Sequence, residues 1–250
     1  MKIIEILKKT QDELLTYTSK ELMKCGYKKI TSKDSFIYAE GNIPVLLVAH
    51  LDIVHRSTPK TILYDKQLQM LWSPTGIGGD DRCGVYAILE IVRQYKPFVL
   101  FTTDEEIGGV GADKFVNAIE ALPVNFIIEI DRRGCGQAVF YDCGNVKFQK
   151  YITSYGFNKC YGTFSDISII SPMYDIASVN LSAGYYNEHT STEYIDLNDL
   201  HYTINGVKNI LSEVDKDEFF DYQEIKYSRY YYETNEDVEI EEEFEEEINN

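Results

Sequence analysis

The stretch PVLLVAHLD, residues 44–52, decides the fold. Six residues without a polar break, from Pro44 to Ala49, read as a strand buried on both faces, which implies a central place in a largely parallel sheet. The run ends at His50 and Asp52, whose period-2 spacing puts both side chains on one side if the chain stays extended. Two other stretches end the same way: FVLFTTDEE at residues 98–106 and NFIIEID at residues 125–131. In open α/β sheets the carboxyl ends of the strands are where ligands are held. Three buried strands therefore point His50, Asp52, Glu105, Glu106 and Asp131 at a shared region.

Around these strands the pattern alternates between helix and strand from start to finish, which favours one α/β domain. Helical spacing of apolar residues runs from Ile3 to Cys25, with Gly26 as a stop. Ser35 to Glu40 and Ile43 to His50 read as strands joined by Gly41 and Asn42, and Thr61 to Ser73 as a hairpin. The glycine-rich segment Gly76 to Gly79 delivers Asp80 to a helix from about Arg82 to Gln94. Further helices are expected over 112–122, 146–155 and 196–214, the last capped by Asp196 or Asn198. Further strands are expected over 97–103, 125–131, 137–142 and 176–181. The catalytic region is expected to span residues 1–226. Residues 227–250 are tyrosine-rich and then acidic, with ten acidic and no basic residues from Glu233 onward; such a block is expected to be a disordered, solvating tail.

The 250 residues carry a net charge of −17, which disfavours nucleic acid and anionic membrane as partners. No apolar run reaches the length of a membrane span, and the amphipathic N-terminus does not resemble a signal peptide. Five cysteines, an odd number without CxxC spacing, argue against a disulfide framework and a thiolate metal site. The expectation is a soluble, cytoplasmic protein with reduced thiols.

Each candidate site residue also has an ordinary explanation when taken singly. His50 and Asp52 fit a metal ligand whose second ring nitrogen is held by a carboxylate, or a polar strand end. Asp80 and Asp81, behind glycines, offer a carboxylate able to bridge two cations about 3.5–4 Å apart, or a helix N-cap. Glu105 and Glu106 diverge as neighbours, so one suits a ligand and the other a general base, although a solvated acidic loop has the same sequence. Asp131 ends an apolar strand and needs a positive compensator, either a metal or the adjoining Arg132 and Arg133. His189, in the polar loop YNEHTSTEY, would by itself read as a surface histidine. His55 and His201 read as ordinary surface or helix residues. The order and shared location of the five motifs, rather than any one of them, carry the case.

HLD, DDRCG, TTDEEIGG, EID and EHTSTEY resemble, in that order and over roughly His50 to Tyr194, the metal and catalytic motifs of the co-catalytic di-zinc exopeptidase superfamily, the clan MH metallopeptidases. The resemblance implies a three-layer α/β/α sandwich with a mixed, mostly parallel central sheet. It implies two zinc ions, with manganese or cobalt as substitutes: His50, Asp80 and Asp131 around one, and Asp80, Glu106 and His189 around the other, with Asp80 bridging. Asp52 would orient His50, and Glu105 would be the general base. A cis peptide is implied between Asp80 and Asp81. The expected activity is amide hydrolysis by an aminopeptidase acting on short peptides. A deacylase or amidohydrolase acting on a small non-peptide amide, or a binding protein that kept the fold, are the alternatives. Tyr185 or Tyr186 is placed to donate to an oxyanion, and Asp166 to bind a substrate amine. The gaps between motifs are too short for the lid or dimerisation domain of many relatives, so a bare catalytic core is expected, with Phe140, Tyr141 or the Tyr230 to Tyr232 cluster as substitutes or packing. The sequence does not specify an oligomeric state.

Overall fold

The computed structural model describes residues 2–225. The segment 227–250 read as a tail lies outside the described residues.

The described chain contains helices α1 (Lys2–Leu7), α2 (Gln11–Lys24), α3 (Gly79–Ile91), α4 (Val110–Ala118), α5 (Val146–Thr153), α6 (Ile167–Tyr174) and α7 (Leu197–Glu213). Its strands are β1 (Ile30–Ser32), β2 (Phe36–Ala39), β3 (Ile43–His50), β4 (Leu63–Asp65), β5 (Met70–Trp72), β6 (Pro97–Thr102), β7 (Phe126–Arg132), β8 (Gln137–Val139), β9 (Asn158–Cys160), β10 (Ser178–Ser182), β11 (Tyr185–Tyr186) and β12 (Tyr194–Asp196). An eight-stranded sheet runs in the order β1-β2-β6-β3-β7-β10-β8-β9. Its centre, β6-β3-β7-β10, is parallel, while β1, β2 and β8 pair antiparallel with an inner neighbour. A second, antiparallel sheet of four strands runs β11-β12-β5-β4.

Strand β3 shows why the central sheet is filled from both sides. Val45, Leu47 and Ala49 face one core with residues of α2, α3, α5 and α7 such as Leu14, Ile88, Phe148 and Val207. Leu46 and Val48 face the other, with Ala112 and Phe115 of α4 and Ile167 and Ile170 of α6. The arrangement is the expected α/β/α sandwich with a mixed, mostly parallel sheet. By the alternation of the strand, His50 follows Leu46 and Val48 toward the α4 and α6 layer.

Three readings of local structure change. The helical run from Ile3 is two helices, because Thr10 stops the first and caps the second: its hydroxyl accepts from Glu13 N–H while the Glu13 carboxylate accepts from Thr10 N–H. Strands β2 and β3 follow one another in sequence but are not neighbours, since β6 lies between them. Strand β9 and helix α6 were not foreseen; three residues give too short a period to read, and Pro172 inside α6 is a helix breaker by composition.

Helix α3 lies hard against β7. A Cβ built on Gly84 would come 2.1 Å from the Ile130 carbonyl oxygen and 2.4 Å from an Asp81 carboxylate oxygen. Gly84→Ala is therefore expected to cost roughly 1–3 kcal/mol through overpacking, read as a lower midpoint in thermal or urea unfolding. An unchanged midpoint would mean that α3 does not approach β7 this closely.

Candidate active site

The carboxyl ends of β3, β6 and β7 bring His50, Glu105, Glu106 and Asp131 to one spot. Asp80 reaches it from the start of α3, where the chain is not yet helical (φ −78°, ψ 107°) and the Asp80–Asp81 peptide is cis. His189 arrives from the loop between β11 and β12 at φ +64°.

The donor atoms lie close enough together to hold a cation between them. His50 Nε2 lies 3.1 Å from Asp80 Oδ1 and 3.6 Å from Asp131 Oδ1. His189 Nε2 lies 3.1 Å from Asp80 Oδ2 and 3.0 Å from Glu106 Oε1. The two oxygens of Asp80 thus face different histidines. A tetrahedral zinc with bonds of about 2.0–2.1 Å separates its ligand atoms by about 3.3 Å, so the donor set fits. His50, Asp80 and Glu106 in addition offer atoms all within 4.8 Å of one another. The nitrogen and oxygen donors suit zinc.

Asp52 holds the framework from behind. Its carboxylate meets His50 Nδ1 at 3.2 Å and accepts from the backbone N–H groups of both Glu105 and Glu106, each at 3.1 Å. One side chain thus fixes a histidine ring and the two acidic residues of the neighbouring strand end. Gly109, at φ +71°, makes the following turn possible, because a Cβ there would come 2.6 Å from Ile169.

Known structures are informative at the level of fold. A tripeptidase from Staphylococcus aureus superposes with a TM-score of 0.70 at 15% identity, over 84% of this chain and 95% of that one. The aminopeptidase PepT from Bacillus cereus gives 0.68 at 15% identity, over 85% and 96%. A protein from Bacteroides vulgatus assigned as a Zn-dependent exopeptidase gives 0.54 at 18% identity, over 80% and 85%. At these identities the likeness shows a shared α/β fold. No protein-family model and no curated protein sequence matches the chain.

Within that fold the electrostatics of the site call for positive charge. Burial, reinforced by repulsion from Asp80, pushes the Asp131 carboxyl well above the carboxylate range. Burial opposes ionisation of Asp80 as well, yet its bonds to His189 and His50 hold that carboxyl low. Burial also disfavours a charged His50, but the carboxylates of Asp131, Asp52 and Asp80 raise it well above an ordinary histidine. His189 is pushed up to about 9, first by its bond to Asp80. Burial pushes Glu105 to about 7 and Glu106 likewise to about 7, with neighbouring carboxylates adding to it. The raised values of Asp131, Glu106, His50 and His189 keep protons among these side chains, and a metal would compete with those protons.

Several readings are corrected by position. Tyr185 lines the cavity as the oxyanion reading requires, although it is almost fully buried and its hydroxyl donates to Asp131 Oδ1 at 3.1 Å. The Tyr186 hydroxyl donates to Asp199 at 2.5 Å, and its ring stacks on Tyr194 with centroids 5.0 Å apart, away from the cavity. Asp166 is fully buried at the start of α6, where the Thr102 hydroxyl donates to it, and it does not line the cavity. Of the proposed lid substitutes, Tyr141 lines the cavity while Phe140 is core, and Tyr230 to Tyr232 lie outside the described residues. His55 is not an ordinary surface residue, for its ring meets the buried Glu193 carboxylate at 2.7 Å.

Two buried acids escaped the sequence reading. Glu129 is fully buried on β7, and the Ser165 hydroxyl donates to it. Its position two residues before Asp131 was signal enough to put it on the same side of the strand. Glu193 gave no such signal, because what it touches is more than a hundred residues away in sequence.

Proposed function

We propose that this chain is a di-zinc aminopeptidase that cleaves the N-terminal amide bond of short peptides, with manganese or cobalt able to replace zinc. The observation that supports it is that Asp80 divides its two oxygens between His50 and His189, each of which has a second carboxylate beside it, Asp131 for one and Glu106 for the other. In this reading His50, Asp80 and Asp131 hold one ion, and Asp80, Glu106 and His189 the other.

A metal pair held there would lower the pKa of water and polarise a carbonyl. Glu105 supplies the proton transfer. Its carboxylate lies 3.9 Å from His50 Nε2 and lines the cavity, where burial raises its affinity for a proton, which suits it to take one from water and return it to the leaving amine. Asp52 keeps the Glu105 backbone in place through its N–H, so the base is positioned from the same residue that orients His50.

The cavity has a volume of about 270 Å³, at the small end for ligand pockets, which suits a short peptide better than a protein chain. Beside the metal ligands the cavity is lined by Glu188, Arg132 and Arg133, opposite charges that suit the two termini of a short peptide, while Tyr141 and Phe164 offer apolar surface for a side chain. Among the described residues no helix is long and apolar enough to cross a membrane, and the five cysteines are all unpaired. Free thiols are consistent with a reducing, cytoplasmic setting.

A panel of free and N-acetylated di- and tripeptides tests the reading. Free peptides are expected to lose their N-terminal residue in the presence of zinc, and acetylated ones to remain intact. Preferential release of acetate would instead identify a deacylase.

A further inference from the structure

Resting on the di-zinc reading, we infer that Glu193, with His55, is a positioning residue that ties together the segments carrying Asp80 and His189. The Glu193 side chain is 1% exposed and does not line the cavity. One of its oxygens meets His55 Nε2 at 2.7 Å and accepts the Gly78 N–H at 2.8 Å; the other accepts the Asp80 N–H at 3.0 Å. Three chain segments meet on this carboxylate: the loop after Asp52, the turn that delivers Asp80, and the segment four residues beyond His189.

A buried carboxylate is costly unless hydrogen-bonded, and buried N–H groups at the start of a helix need acceptors. Glu193 answers both needs with charge-assisted bonds, and in doing so fixes the backbone of the shared ligand Asp80. The glycines of the turn are shaped to this contact. A Cβ on Gly76 would lie 2.2 Å from the His55 ring, and one on Gly79 would lie 2.8 Å from Tyr185, 2.9 Å from Ile195 and 3.2 Å from Glu193. The glycine-rich run therefore makes room for the His55–Glu193 pair as well as turning the chain toward Asp80.

His189 is the ligand that most needs such support. It lies outside the regular strands, at positive φ, with its side chain 47% exposed. On one shoulder Glu188 pairs with Arg133 at 2.6 Å, two residues beyond Asp131. On the other, Glu193 leads into β12, which is bonded to β11 and β5. The loop is thereby pinned to the segments that carry Asp131 and Asp80, so that the His189 ring is held against both Asp80 and Glu106 before a metal arrives. Such preorganisation of ligands sets metal affinity.

Calorimetric titration of zinc into metal-stripped protein tests this with Glu193→Ala, Glu193→Gln, His55→Ala, His189→Ala and the Glu193→Ala/His189→Ala double variant. The wild type is expected to take two zinc ions. Glu193→Ala is expected to weaken the second by roughly 10–100-fold, the size seen when an outer partner of a ligand is lost. Glu193→Gln keeps one acceptor oxygen and is expected to fall between; His55→Ala leaves both N–H bonds and is expected to change least. In the His189→Ala background the Glu193 substitution is expected to cost less than it does alone, because part of its effect runs through His189 and only the part that runs through the shared Asp80 remains. If Glu193→Ala does not fold, the near-isosteric Glu193→Gln carries the comparison. Wild-type zinc affinity in both Glu193 variants, or losses that simply add to that of His189→Ala, would overturn the inference while leaving the di-zinc reading intact. Fewer than two zinc ions in the wild type would overturn the reading itself.

Discussion

Glu105→Ala is expected to lower peptide hydrolysis by roughly 10²–10⁴-fold, the contribution of a positioned general base, while zinc stoichiometry stays at the wild-type value. The separation follows from geometry. Glu106 faces His189 at 3.0 Å, whereas the Glu105 carboxylate has no such partner among the histidines, its nearest being His50 Nε2 at 3.9 Å. Removing Glu105 therefore takes away a proton carrier without opening the ligand set. The backbone N–H of residue 105 still bonds to Asp52, so the turn should persist. Rates measured on a tripeptide, together with metal analysis of the same preparation, decide the point. Loss of metal in parallel with activity would make Glu105 a ligand instead.

Removing the metal is expected to produce the largest change in stability. A ligand present at a thousand times its dissociation constant stabilises the folded state by about 4 kcal/mol per site. For a chain of this size each kcal/mol moves the melting temperature by about 2–4 °C, so chelation is expected to lower it by roughly 10 °C or more. The fall should deepen with pH. Glu105 and Glu106 are raised to about 7 in the folded protein, so without metal the folded state binds more protons than the unfolded chain. Their contribution is fully present below the ordinary glutamate range and is lost as pH rises through 7. Asp131, raised by burial and by Asp80, acts in the same direction. Melting curves of stripped protein at pH 6 and pH 8 should show the lower transition at pH 8, and zinc should raise the pH 8 curve more. Equal melting temperatures with and without metal at both pH values would contradict a buried acidic metal site.

Much of this architecture was legible in the order of residues. Strands β3, β6 and β7 announce themselves because burial on both faces demands unbroken apolar runs, and the polar residue that ends each run marks the sheet edge where ligands collect. Helix α7 was equally plain, from its apolar period and from Asp196, whose side chain accepts from the N–H groups of Asn198 and Asp199. What could not be read is whatever depends on contacts distant in sequence. The insertion of β6 between β2 and β3 is a choice among strand partners that apolar patterning leaves open. His55 looked ordinary because its partner, Glu193, lies 138 residues away. The hydroxyl of Tyr186 was misjudged for a related reason: proximity to His189 in sequence says nothing of direction, and alternation along β11 sends Tyr185 to Asp131 in the cavity and Tyr186 to Asp199.

The central claim is tested most directly by an anomalous diffraction map at the zinc absorption edge from a zinc-soaked crystal. Two peaks roughly 3.5–4 Å apart are predicted, one beside His50 and Asp131, the other beside His189 and Glu106, with Asp80 touching both. A single peak, or zinc lying away from Asp80, would contradict the account.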